Sequence, residues 1–214
     1  AEAGVAVRIA DAAAQAGGRC RSYRDPQLGL VIDNGNHLVL SGNKSVERFR
    51  ATIGATPPLA GPDHADFGFV DLAGDARWTI RINDGRLPWW VLAKDRRVPG
   101  SRLRDYLPLA RMLGGAPSDS VGERIDAAGP VWDKLLEPVL LAVLNTPPAQ
   151  GSARLTAAVL RESLLCGGRA SLPRVAEPTL AAAFIDPALA WLAARDAPVT
   201  LGKRLRAIAT EGDR

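Results

Sequence analysis

The sequence has 214 residues, of which 47% are hydrophobic, enough to bury a substantial core. Its 27 Lys and Arg exceed its 23 Asp and Glu by four, and no block of like charge indicates a nucleic-acid groove. Two Cys and two His lack metal-ligand spacing, so we expect no metal site, and so few Cys are typical of a cytosolic protein. The mild basic excess fits ordinary solubility and also an anionic membrane surface.

The chain opens with a strand pattern that ends on an acid. Val5, Val7 and Ile9 alternate with smaller or polar residues, and Asp11 closes the run. An acid at the carboxyl end of a strand can accept hydrogen bonds from a ribose diol, as it does in dinucleotide-binding βαβ units. Asp11 is therefore a candidate ribose ligand, and a solvated acid at a strand end is the alternative.

A Gly-Gly-Arg loop follows this acid. Gly17 and Gly18 lack a Cβ, so a ligand can approach their backbone closely. Arg19 adds a planar, permanently charged group suited to phosphate. The alternative is an ordinary glycine turn with a surface arginine. A second strand over 30–33 then leads into Asp-Asn-Gly-Asn-His.

The next segment changes from a helical to a strand pattern. Apolar spacing predicts a helix over 45–53 with Ser45 as its N-cap. From residue 66 the apolar period is two, and Asn83-Asp84-Gly85 separates this run from 87–90. That turn signal predicts a hairpin, so we expect antiparallel strands that form one wall of a substrate domain.

Beyond Pro99 the pattern is mostly helical. Strongly apolar spacing predicts a helix over 131–144, and Ser152 is placed to cap the next one. Residues 172–178 are predicted as a loop. Two further strands are predicted over 197–201 and 205–209.

These motifs carry a family resemblance. Asp11, a five-residue spacer and Gly17-Gly18-Arg19 resemble the second ribose-and-phosphate motif of FAD-dependent amine oxidases and phytoene-desaturase-like enzymes. The longer strings GGRCRSY and IDNGNHLVLSGN, with LLEPVLLAVLNTPP at 135–148 and the stretch 184–208, resemble more narrowly the squalene-associated FAD-dependent desaturases, or hydroxysqualene dehydroxylases. The resemblance runs along nearly the whole chain.

The resemblance implies FAD as cofactor and assigns residues to it. The residues implied to contact FAD are Asp11, Gly17, Gly18, Arg19, Gly35 and Val199. Gly35 would let backbone pass close to the isoalloxazine ring, and the backbone of Val199 would reach the adenine. Family members often carry an Arg two residues beyond the acid, where this chain has Ala13. Asn36 and His37 are the catalytic candidates, because loss of a hydroxyl group needs an acid and histidine can donate a proton near neutral pH. A purely structural His37 is the alternative.

The implied activity is that of a flavin-dependent oxidoreductase acting on an isoprenoid lipid, by reductive dehydroxylation of hydroxysqualene to squalene in hopanoid synthesis. A carotenoid or phytoene desaturase, or an amine oxidase, is the alternative within the same fold. An inactive fragment, or an apolar-ligand-binding module without flavin, is the alternative outside it. We expect a cytoplasmic protein without a nucleic-acid partner. A peripheral contact with the inner face of the membrane stays an open alternative, and the sequence does not indicate the oligomeric state.

The expected fold is mixed α/β. It combines a partial Rossmann-like FAD-binding domain with a substrate domain of antiparallel sheet and helices. We predict FAD-binding segments over 1–65, a substrate domain over 66–196 and return strands over 197–214. The G-x-G-x-x-G loop that should precede the acid is absent from the sequence, so we read it as an internal fragment that binds FAD poorly by itself.

Overall fold

The computed structural model describes residues 1–35, 37–114 and 116–208. Within it the chain divides into two compact units. Unit 1 comprises Ala1–Val39, Lys44–Gly61 and the chain from Arg174 onward. Unit 2 comprises Leu40–Asn43 and Pro62–Pro173. The fold is a mixture of short strands and helices, as predicted.

Most of the strands are short. In chain order they are β1 Ile9–Ala10, β2 Ser22–Arg24, β3 Val31–Asp33, β4 Leu38–Leu40, β5 Leu59–Ala60, β6 Asp66–Asp71, β7 Ala76–Arg81, β8 Pro173–Ala176 and β9 Val199–Thr200. Only β6 and β7 reach six residues.

The α-helices are α1 Lys44–Thr52, α2 Pro108–Arg111, α3 Val121–Arg124, α4 Glu137–Leu144, α5 Ala153–Glu162 and α6 Asp186–Ala193. Two of them continue wider π-helical turns, Trp132–Leu136 before α4 and Ala181–Ile185 before α6. Short 3₁₀ helices cover Gly18–Cys20, Trp89–Leu92, Leu103–Tyr106, Pro148–Gln150, Leu164–Cys166 and Gly168–Ala170.

Unit 1 is built from small sheets. β1 pairs in parallel with β9, which comes from the far end of the chain. β2 and β3 form an antiparallel pair in which Ser22 lies opposite Asp33 and Arg24 opposite Val31. β8 lies between β4 and β5 in a three-stranded sheet. Strands distant in sequence therefore hold this unit together.

Unit 2 contains the hydrophobic core. β6 and β7 pair antiparallel over their whole length, with Phe67 opposite Ile80 and Phe69 opposite Trp78. Ile80 is 1% exposed and packs in a cluster that includes Trp90 and apolar residues of the helical segments. The predicted antiparallel strands are confirmed here.

The predicted hairpin at Asn83-Asp84-Gly85 is wrong. The hairpin turn lies earlier, between β6 and β7, where Asp75 adopts a φ of 51°. The Asn83 side chain instead folds the following loop, because its amide donates to the carbonyls of Gly85 and Leu87 and accepts from the Trp90 N–H. These bonds lead into the 3₁₀ helix Trp89–Leu92 rather than a strand.

Other boundaries also differ from the sequence prediction. The helix predicted over 131–144 is present, but Pro138 cannot donate a backbone hydrogen bond, and the turn before it is a π-helix. Residues 172–178 were predicted as a loop, but β8 lies there. Its proline, Pro173, is the first residue of the strand, a position where strands tolerate proline. Residues 205–208 form no strand, and residue 209 lies outside the described ranges.

The unit boundaries differ from the predicted domain boundaries. Residues 174–196 belong to unit 1, whereas the sequence placed them in the substrate domain. The reason is that helix α6 and the π-helical turn before it pack with the Gly18–Cys20 segment and β9. The roles assigned to the two domains stay predictions.

Candidate functional site

The parallel pair β1 and β9 positions the first candidate group. Ile9 lies opposite Val199. Directly after β1, the Asp11 N–H donates to the Thr200 carbonyl at 3.0 Å, and the Asp11 carbonyl accepts from the Lys203 N–H at 2.9 Å. Asp11 and Val199, 188 positions apart in the sequence, are thus brought to one strand pair.

The Asp11 carboxylate is half-buried and only partly used. Its Oδ1 accepts a hydrogen bond from the Ala13 N–H at 2.9 Å, which fixes the side chain at the carboxyl end of β1. No other side-chain hydrogen bond or ion pair involves this carboxylate within the ranges 1–35, 37–114 and 116–208. Its second oxygen can accept from a diol, which is the chemistry that the sequence predicted.

The Gly-Gly-Arg loop has the backbone geometry that glycine permits. Gly17 and Gly18 have φ values of 103° and 53°, and the Cys20 N–H donates to the Gly17 carbonyl at 2.8 Å. A Cβ on Gly17 would lie 3.0 Å from Cγ1 of Ile185. A Cβ on Gly18 would have no described neighbour within 4 Å, so this face of the loop backbone is open. Arg19 is exposed beside it and makes no described ion pair.

Gly35 and His37 lie beside each other after β3. The His37 imidazole is on an exposed residue, and its Nε2 is 3.5 Å from where a Cβ on Gly35 would stand. A Cβ at position 35 would thus make an ordinary van der Waals contact with this ring. Asn36, the other catalytic candidate, lies outside the described residues.

One polar cluster was missed by the sequence analysis. Asp33 Oδ1 accepts from the Ser22 hydroxyl at 2.5 Å and from the Leu180 N–H at 2.9 Å. Ser22 Oγ in turn accepts from the Ala181 N–H at 2.8 Å. The cluster ties the β2–β3 pair to the start of the helical segment that ends in α6. The acid at the end of β3 was its only signal in the sequence.

Unit 2 contains an apolar cavity of about 230 Å³. Its walls come from the loop after the β6–β7 hairpin, from α2 and its flanks, and from the end of α5. The lining residues are Pro88, Trp90, Val91, Tyr106, Leu109, Ala110, Leu113, Leu160, Leu164 and Leu165. Trp90 belongs both to this wall and to the core, whereas Trp89 is 49% exposed and lines no part of it.

The described residues contain neither a candidate metal site nor a candidate membrane span. No group of three or more His, Cys, Asp or Glu side chains in that part of the chain could hold a metal ion. No helix in the same residues is long and apolar enough to cross a membrane.

Comparison with known proteins identifies the family. The family described as flavin containing amine oxidoreductase matches residues 1–214. The chain belongs to this flavin containing amine oxidoreductase family. The mixed fold agrees with that assignment, and the family implies a flavin cofactor.

Three relatives that match nearly the whole chain carry the same name. It is 47% identical over 214 residues to the hydroxysqualene dehydroxylase of Rhodopseudomonas palustris, covering 100% of this chain and 51% of the relative. It is 47% identical over 210 residues to that of Zymomonas mobilis and 46% identical over 211 residues to that of Sinorhizobium fredii, covering 98% and 99% of this chain and 51% of each relative. The chain therefore spans about half the length of the curated relatives it matches.

The residues of unit 1 fit part of the flavin cofactor of the amine oxidoreductase family. Asp11 offers a carboxylate oxygen for a ribose diol, Gly18 leaves backbone open, and Arg19 offers an exposed guanidinium for phosphate.

Proposed function

We propose that this chain is part of a flavin-dependent oxidoreductase that converts hydroxysqualene to squalene by reductive dehydroxylation, in hopanoid synthesis. The observation that carries the proposal is 46–47% identity along nearly the whole chain to three relatives named hydroxysqualene dehydroxylase. Unit 1 serves as a partial Rossmann-like FAD-binding domain, and unit 2 as the substrate domain.

In this proposal six residues of unit 1 contact FAD. Asp11 accepts hydrogen bonds from the ribose diol, while Gly17 and Gly18 leave room for the nucleotide and Arg19 pairs with phosphate. The parallel pairing of β1 with β9 supports a further contact, in which the backbone of Val199 reaches the adenine next to Asp11. Gly35 lets backbone approach the isoalloxazine ring.

Besides hydride, the proposed reaction requires a proton and an apolar environment for the substrate. A reduced flavin, when bound, would supply the hydride that replaces the hydroxyl group on the allylic carbon of hydroxysqualene. The departing oxygen must take up a proton to leave as water, and His37 is the proposed donor, with Asn36 as a hydrogen-bonding partner of substrate or flavin. The exposed imidazole of His37 is free to approach a ligand.

The substrate needs an apolar, water-poor environment. The cavity of unit 2 supports a role in holding part of its hydrocarbon chain, because all ten residues that line it carry apolar or aromatic side chains. A substrate of this kind partitions into bilayers, so we place the enzyme in the cytoplasm with peripheral access to the inner face of the membrane.

The cofactor assignment is tested by Asp11→Asn. The amide oxygen of asparagine can still accept from the Ala13 N–H, but the charge that favours the diol is lost. We expect FAD affinity to fall about tenfold to a hundredfold, the range for hydrogen bonds to a charged group. Affinity is measured by flavin absorbance and fluorescence titration of the chain together with its genomic flanks.

Arg48→Gln is the matched control, because Arg48 is an exposed cation of unit 1 whose one ion pair among the described residues is with Glu2, at 3.9 Å. It should leave FAD affinity unchanged. Equal flavin affinity for Asp11→Asn and the parent protein would overturn the ribose assignment.

His37→Ala should retain flavin but lose turnover by about a hundredfold or more, and unchanged turnover would remove His37 from the mechanism.

A further inference from the structure

One segment of unit 2 carries a local excess of positive charge. Residues 86–107 contain six Lys and Arg but only two Asp and Glu. The rest of the sequence carries 21 of each sign, so these residues hold the whole net charge of +4. Within the segment, Asp105 is occupied by the Arg102 N–H at 2.7 Å and lies 3.8 Å from the Arg104 guanidinium.

The same segment exposes large apolar side chains. Leu87 and Leu107 are 79% and 69% exposed, and Leu92, Trp89 and Leu103 are 63%, 49% and 47% exposed. The Arg96 guanidinium lies 4.9 Å from the centre of the Trp89 ring, so cation and aromatic surface adjoin. Exposed Trp and Leu among Arg and Lys are typical of a surface that lies in the interface of a bilayer.

Internal contacts hold the two halves of this segment together. The Trp90 and Tyr106 rings meet edge to face with centroids 5.6 Å apart. The Val98 N–H donates to the Tyr106 hydroxyl at 3.0 Å, and Ser101 Oγ lies 3.2 Å from the same oxygen. The 3₁₀ helices Trp89–Leu92 and Leu103–Tyr106 are therefore parts of one packed structure.

The apolar cavity is built on this segment. Pro88, Trp90, Val91 and Tyr106 line it, and each is a neighbour in sequence of an exposed apolar residue. The cavity wall and the exposed apolar side chains are thus built from the same stretch of chain.

We propose that residues 86–107, the docking segment, bind the surface of an anionic lipid bilayer and admit a lipid hydrocarbon chain to the cavity behind them. The cations pair with lipid phosphates while Leu87, Trp89 and Leu92 enter the headgroup region. Because the segment carries an excess of positive charge, an anionic bilayer is a better binding partner for it than a neutral protein surface. Only the identity of the lipid rests on the proposed function.

The test is co-sedimentation of the purified chain, with its genomic flanks, on vesicles of phosphatidylcholine alone or with phosphatidylglycerol. Binding should require phosphatidylglycerol and weaken as salt is raised. Arg86→Gln with Lys94→Gln should lower the binding constant by roughly 30-fold, since each cation near such a surface contributes about fivefold. Leu87→Ser, Trp89→Ser and Leu92→Ser together should lower it at least about tenfold.

Matched controls come from the same unit. Arg77→Gln with Arg154→Gln removes two exposed cations outside the segment, and Leu72→Ser removes an apolar side chain that is 90% exposed. These should bind vesicles like the parent. Equal losses in both sets, or binding that ignores lipid charge, would overturn the proposal. The proposal would also be overturned if acrylamide failed to quench the fluorescence of Trp89 before vesicles are added, because other protein would then cover the segment.

Activity separates this proposal from the previous one. Docking variants should keep flavin and turn over detergent-dispersed hydroxysqualene normally, but lose turnover of vesicle-borne substrate. A protein without any dehydroxylase activity that still binds vesicles through the segment would contradict the proposed reaction and leave the docking surface standing.

Discussion

The two units of the chain are stabilised in different ways. Among the described residues, 17 buried apolar residues lie in unit 2, whereas unit 1 contains four, Ile53, Leu180, Ala183 and Ala197. Apolar burial contributes about 25 cal/mol per Å², so unit 2 has a much larger hydrophobic contribution to its stability. Unit 1 must depend more on backbone pairing and polar contacts.

Arg50 illustrates how unit 1 is held. Its guanidinium donates to the carbonyl of Ala183 at 2.7 Å and to that of Pro57, and it lies 5.4 Å from the centre of the Phe184 ring. One side chain thus joins α1, the loop after it and the helical segment before α6. A unit built this way gains stability by mass action from any ligand that binds only its folded form. FAD would be such a ligand under the proposed function.

The largest effect that tests this comparison is expected in the core of unit 2. Ile80→Ala removes a side chain that is 1% exposed on β7, and should cost about 2–5 kcal/mol of unfolding free energy. Urea denaturation followed by tryptophan fluorescence measures it. Val70→Ala, on the paired strand at 43% exposure, is the control and should cost far less. Similar losses for the two variants would mean that unit 2 lacks the core described above.

The polar cluster of unit 1 should matter next most. Asp33→Ala leaves the Leu180 N–H and the Ser22 hydroxyl without their acceptor, which should cost about 1–3 kcal/mol. Hydrogen exchange should accelerate over 180–185 and leave the core of unit 2 unchanged. Asp33→Asn keeps an acceptor oxygen and should recover part of the protection. Acceleration throughout unit 2 would show that the two units unfold together.

Sequence reasoning succeeded where a local pattern decides the structure. The alternating apolar residues before Asp11 predicted the strand that ends beside it, although β1 covers only Ile9–Ala10 of that run. Sequence reasoning failed at Asn83, whose side chain bonds to the next few residues and folds a loop where the turn motif predicted a hairpin. It also failed where a distant partner decides, because β8 forms between β4 and β5.

The sequence analysis left a membrane contact open without assigning it to the docking segment, and the reason is similar. Along the sequence its cations are interrupted by apolar residues and resemble an ordinary solvated surface. Burial of Trp90, Val98 and Tyr106 leaves the leucines and cations between them outside, and that separation is known only after folding. The same holds for the Ser22–Asp33 cluster, whose third partner is 147 positions from Asp33.

The smallest predicted effect concerns a polar cap in unit 2, where the core should make such contacts less important than in unit 1. Glu123 accepts from the Ser120 N–H at 2.7 Å and from its hydroxyl at 2.8 Å, at the start of α3. The backbone bond, then the hydroxyl bond, lowers the pKa of this carboxyl below its ordinary 4.5.

Because the folded-state pKa is the lower one, the ionised cap stabilises the fold above the ordinary value, and the contribution is lost as pH falls through the folded pKa. Glu123→Gln should therefore lower the urea midpoint slightly at pH 7 and have no effect once the pH is well below 4.5. Ser120→Ala in the Glu123→Gln background should add little to that loss, since the hydroxyl bond is already weakened. A loss at neutral pH as large as that of Asp33→Ala would mean that polar caps stabilise both units equally, and the contrast between a core-stabilised unit and a polar-stabilised one would fail.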